Sequence, residues 1–107
     1  MDSDQRDLLL SLAYFYICCG RDWRALPLLL LVIAQSPDDC ECLRMLAHVY
    51  IVVDRGELAL VVLDRMRQLS PTIIAGDALL RARALQRLGR NEEARHVFDQ
   101  YIQAMAA

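Results

Sequence analysis

The chain contains no lysine. All 12 of its basic residues are arginine, set against 14 acidic ones for a net charge of −2. That balance produces no overall field to draw in nucleic acid or an anionic membrane. The lysine gap has two readings: a coding bias, or a use of guanidinium for bidentate carboxylate contacts. There is no Gly-rich phosphate loop among the 4 glycines. His48 has no Ser or Cys at a nucleophile-like spacing and no strained elbow motif beside it. The opening MDSDQRD lacks the basic region of a secretory signal. The greasiest run, LPLLLLVIA at 26–34, is too short to span a bilayer and carries Pro27. These absences argue against an enzyme, a cofactor, a small-molecule substrate and a nucleic-acid partner. Cytoplasmic residence is the default.

Four cysteines fall in two tight pairs, Cys18-Cys19 and Cys40-x-Cys42. Zinc sites repeat a Cys-x-x-Cys spacing with His at matching intervals, and His48 and His96 match no such pattern. The expected role of these cysteines is that of small core hydrophobes. Asp38-Asp39 resembles a carboxylate pair, but it lies where a helix N-cap belongs. Arg6-Asp7 and Asp64-Arg65 read as ordinary helix-surface charges.

What the chain does have is apolar excess and a repeat. It is 56 % hydrophobic, with 24 % charged residues and a positive mean hydropathy; an ordinary globular chain is somewhat less apolar. One domain over 1–107 suits this length. Residues 88–102, LGRNEEARHVFDQYI, show the building block. Leu88 closes a helix, Gly89 and Arg90 turn the chain, and Asn91 is placed to cap the next helix. Glu92 and Glu93 follow in its first turn. Ala94, Val97, Phe98, Tyr101 and Ile102 then mark one apolar face.

Ser36-Pro37 and Ser70-Pro71 lie 34 residues apart. Counted back from each proline, Leu9, Leu12, Ala13, Tyr16, Ala25 and Leu29 recur as Leu43, Leu46, Ala47, Tyr50, Ala59 and Leu63. A third unit, offset by one residue, carries Ala78, Ala82, Leu85, Gly89, Ala94 and Phe98. A 34-residue period with small residues at helix crossings is the tetratricopeptide pattern. It predicts six helices near 4–18, 22–35, 38–53, 57–69, 73–88 and 91–105, paired as hairpins over about 4–35, 38–69 and 73–105. The fold class is all-α: three tetratricopeptide-like hairpins stacked as a short right-handed solenoid with a concave groove. Alanines 13, 25, 47, 59, 82 and 94 permit close helix approach, and Tyr16 and Tyr50 fill the gaps between hairpins. Pro27 predicts a kink or a late start in the second helix. Gly56, out of step with Gly20 and Gly89, predicts a longer first helix and a tighter turn in the middle unit.

In such a stack the first helix of each hairpin lines the groove. The frame assigns the inward positions to Leu10, Tyr14, Ile17 and Cys18, then Arg44, His48, Ile51 and Val52, then Leu79, Arg83, Gln86 and Arg87. YFYICC (14–19) and VYIVV (49–53) are apolar on every side, so one flank of each is expected to face a ligand. Arg44, Arg83 and Arg87 read either as a solvated face or as a clamp for acidic residues beside a greasy segment. Such a groove suits an apolar helical or extended ligand.

RDLLLSLAYFYICCG, LLLLVIAQSPDD and RARALQRLGRNEEARHVFDQYI together resemble the small tetratricopeptide-like chaperones of bacterial type III secretion, and most nearly the YscY type. The resemblance implies a bacterial cytoplasmic protein in a 1:1 heterodimer with a small YscX-type export protein. The client would lie in the groove and be escorted to the export gate at the inner membrane. The YscG type, which with a helical co-chaperone covers the needle subunit in a ternary complex, is the second implied role. A general scaffold that reads acidic tails through Arg44, Arg83 and Arg87 is a third reading.

Overall fold

The computed structural model describes residues 1–70 and 75–106. These form six α-helices and no strand: α1 (Ser3–Cys18), α2 (Asp22–Gln35), α3 (Cys40–Val52), α4 (Gly56–Leu69), α5 (Ala75–Arg87) and α6 (Asn91–Ala106). Apart from the start of α5, the bounds fall within two residues of those expected. The Pro71-Thr72 junction and the expected helix start at 73 lie outside the described residues.

Local chemistry starts the first and third helices well. Asp2 caps α1 in a reciprocal capping box with Gln5. Asp39 caps α3 by accepting from the Cys42 amide, as the Asp38-Asp39 pair suggested. In α6 the helix begins one residue earlier than Asn91 would have it, because the Arg90 carbonyl already accepts from the Ala94 amide. Of the kink or late start expected at Pro27, the late start does not occur. The helix runs from Asp22 through Pro27, which is exposed and has no amide hydrogen to give the Trp23 carbonyl.

The helices pack as consecutive pairs, α1 on α2, α3 on α4 and α5 on α6, with α2 against α3 and α4 against α5 between pairs. The odd helices also meet, α1 with α3 and α3 with α5. Among the described residues no such approach joins α2 to α4 or α4 to α6. The stack is therefore tighter on its odd-helix side. Its radius of gyration is 14.1 Å, slightly above the ~13 Å of a compact chain this long.

All three turns within pairs are built alike. The amides of Gly20 and Arg21 donate to the Ile17 and Tyr16 carbonyls, those of Asp54 and Arg55 to Ile51 and Tyr50, and those of Gly89 and Arg90 to Gln86 and Leu85. Each is a Schellman closure with its pivot in the left-handed region. The pivots are Gly20 (φ 73°), Asp54 (φ 64°) and Gly89 (φ 77°). This corrects the expectation for the middle unit. Its turn is no tighter than the others, and α3 at 13 residues is shorter than α1 at 16. Gly56 serves packing instead: a Cβ there would lie 2.9 Å from the Ala84 carbonyl oxygen of α5.

All six crossing alanines are buried, which lets the helices close on one another. The main core runs through α1–α4 around Leu29, Val32, Leu43 and Leu46. A small second cluster of Ile51, Ala59 and Ala84 ties in α5, and Tyr50 packs against both. The apolar face expected on α6 is only partly covered: Ala94 is buried, while Phe98 and Ile102 are exposed.

Candidate functional site

By the repeat frame the twelve positions expected to line a groove fall into four sets on the odd helices: Leu10, Arg44 and Leu79; Tyr14, His48 and Arg83; Ile17, Ile51 and Gln86; Cys18, Val52 and Arg87. Two of them do not reach the surface. Leu10 (5 % exposed) belongs to the main core, and Ile51 (1 %) is closed over by Ala59 and Ala84. Ile51 packs with Ala84 of α5 and Leu10 with the main core, so both are corrected from lining to core. Ile17 is half-buried against the same core.

The apolar part of the open face is Tyr14, Cys18, Val52 and Leu79. Tyr14 is 62 % exposed. The Cys18 thiol, one turn further on, holds its phenol above its usual range. Leu79, Arg83 and Gln86 come together in a cleft of about 540 Å³ between α5 and α6, with Phe98 on its far wall.

The arginines divide. Arg44 is no free cation: its Nε donates to Asp77 Oδ1 at 2.8 Å, pinning α3 to the first turn of α5. Arg83 and Arg87 have no carboxylate within ion-pairing distance among the described residues. Arg83 instead approaches His48 Nδ1 at 3.4 Å. On the other side His48 Nε2 lies 3.6 Å from Asp22 Oδ2, a buried oxygen without a hydrogen-bond partner. Asp22 of α2, His48 of α3 and Arg83 of α5 thus form a line through all three pairs. Burial and the neighbouring Arg83 charge lower the His48 pKa, with Asp22 opposing them.

Sequence reasoning passed over two residues. One is Asp22, which reads as an ordinary first-turn acid. The other is Arg6, taken as a surface charge. It makes a bidentate contact with Asp39 (2.7 and 3.0 Å), and reaches Glu41 and Asp7 at 2.8 Å. Asp64 and Arg65 are likewise bridging residues, bonded at 2.7 Å to Arg81 and Asp38. The available signal was the offset: Arg6–Asp39 and Arg44–Asp77 are both separated by 33 residues.

The cysteines split as well. Burial pushes the Cys42 thiol up to about 12, and its sulfur sits 3.3 Å from the Leu29 carbonyl. Cys18 and Cys19 are exposed rather than in the core. Among the described residues no three His, Cys, Asp or Glu side chains gather in a way that could hold a metal ion. None of the described helices is long and apolar enough to cross a membrane. No protein-family model matches the chain, and no curated protein matches it either.

Proposed function

We propose that the chain is a non-catalytic chaperone of tetratricopeptide type. Its three hairpins form a short right-handed solenoid, and the concave groove along α1, α3 and α5 shields an apolar helical segment of a small exported client. This is the role implied by its resemblance to the YscY-type chaperones, whose client is escorted to the export gate. The observation that carries the reading is the graded face. Tyr14 and Cys18 on α1, Val52 on α3 and Leu79 on α5 are open apolar side chains, and α5 adds Arg83 and Arg87, neither of them ion-paired with a carboxylate among the described residues. A greasy segment with acidic residues toward one end fits this gradient. The neutralised Arg44 leaves a clamp of two arginines rather than three.

A scaffold that reads acidic tails is favoured by the same two arginines, and the experiment separates the readings. The chain is co-expressed with the small proteins encoded beside it, and the purified species are sized by light scattering. A 1:1 complex that resists high salt and is lost in Tyr14→Glu, with helicity unchanged, supports the chaperone. A three-component complex shifts the assignment to the needle-subunit type. Salt-sensitive binding lost only in Arg83→Ala and Arg87→Ala makes it a tail reader.

A further inference from the structure

The repeat supplies an internal control for a second surface. In the second hairpin, Cys42, Leu46 and Val49 of α3 are buried, and Cys42 touches the Leu29 carbonyl of the preceding α2. On α5 the same frame positions again meet the preceding pair: Arg81 bonds Asp64 of α4, and the Ala84 backbone lies against Gly56. This is the face that each later hairpin turns toward the one before it. On α1 the equivalent residues are Leu8, Leu12 and Phe15, exposed by 69 %, 39 % and 59 %. Leu31 of α2 (55 % exposed) extends the patch. Its counterpart in the second hairpin, Arg65, reaches back to Asp38 before α3, so that position too faces the preceding side. The α1 face therefore has the chemistry of a buried helix surface and, among the described residues, nothing on it.

We infer that this face pairs with a second copy of the chain, α1 running antiparallel to its mate about an axis near Leu12. Charge selects this occupant. Asp4 stands in the first turn of α1, one turn before Leu8, and Arg21 stands in the turn that follows α1; both are exposed and neither is ion-paired among the described residues. Turned antiparallel, the acidic end of one α1 meets the basic end of the other, twice by symmetry. Size agrees. The four apolar residues expose on the order of 450 Å², about the apolar share of a standard interface of ~800 Å² per partner. The pairing uses a different flank of α1 from Tyr14 and Cys18, so it does not rest on the groove reading.

Sedimentation velocity of the full chain across a thousandfold range of concentration tests the proposal. The expected result is a monomer–dimer equilibrium. Leu8→Glu/Phe15→Glu should shift it at least tenfold toward monomer, with the circular dichroism spectrum and melting temperature retained. Asp4→Arg should weaken the dimer, and Asp4→Arg/Arg21→Asp should restore it. A wild-type chain that stays monomeric throughout overturns the proposal, as does a dimer that survives the Leu8/Phe15 change or fails to respond to charge reversal. A monomer that instead takes up a foreign helix on this face overturns the choice of occupant.

Discussion

Gly56 at the start of α4 lies so close to Ala84 of α5 that a Cβ would fall 2.9 Å from the Ala84 carbonyl oxygen and 3.0 Å from Leu88 Cγ. Leu88 could shift, but the backbone oxygen belongs to a packed helix. In an exposed helix interior Gly→Ala gains up to ~1 kcal/mol of propensity. At this crossing the overpacking cost of about 1–3 kcal/mol should dominate. Gly56→Ala is therefore expected to lower the melting temperature by several degrees, at ~4–8 °C per kcal/mol for a domain of this size. An unchanged or raised temperature would show that α4 and α5 are not held this close.

Asp54 offers the opposite substitution. It fills the left-handed pivot that Gly20 and Gly89 occupy in the other two turns. A side chain in that conformation costs roughly 1–2 kcal/mol, least for Asn and Asp. Asp54→Gly relieves it, at the expense of a freer unfolded chain. A net gain of about 0.5 kcal/mol is expected, seen as a higher urea midpoint at constant m-value. Asp54→Val should move the midpoint the other way and by more.

The frame was legible because helix crossings leave a small, regular residue behind. Ala13, Ala47 and Ala82 recur where the chain must come close to itself, and the turns follow at fixed distance. Depth was not legible. Leu10 and Tyr14 look alike in the frame, yet only a folded neighbour decides that Leu10 is covered and Tyr14 is open. Gly56 was misread for a related reason: glycine in a sequence suggests a turn, and its actual contact is 28 residues away at Ala84. Arg6 and Asp22 were missed because helix-surface rules look three or four residues along, while their partners sit on other helices.

Asp39 joins two jobs that substitution can separate. It caps α3 and receives both nitrogens of Arg6 from α1. The Arg6 guanidinium, with burial opposing, lowers the Asp39 carboxyl pKa below its usual 3.8. Asp39→Ala should cost at least the ~1 kcal/mol of a lost N-cap, and it also strips Arg6 of its bidentate partner. Asp39→Ser keeps a capping oxygen and loses only the ion pair. Its midpoint should lie between wild type and Asp39→Ala at low salt. If Asp39→Ser is as damaging as Asp39→Ala, the cap contributes little and the Arg6 bridge is what fastens α1 to α3.

His48 makes the stack sensitive to mild acid. Asp22 faces it from α2 and Arg83 from α5, and burial with the Arg83 charge outweighs the attraction of Asp22. The folded protein therefore holds this imidazole below its ordinary 6.5, and the unfolded chain takes up the proton first. Stability contributed by neutral His48 is complete above pH 6.5 and declines as pH falls through the folded-state value. The Asp39 contribution is lost only in more acidic solution, below 3.8, so a comparison between pH 7.5 and 5.5 isolates the histidine. Urea midpoints of the wild type should drop over that interval, and those of His48→Gln should drop less. Arg83→Gln, which removes the repelling charge and keeps the histidine, should also flatten the dependence. Equal slopes in all three proteins would mean that His48 protonates as freely in the fold as out of it, and that the line from Asp22 to Arg83 carries no electrostatic coupling.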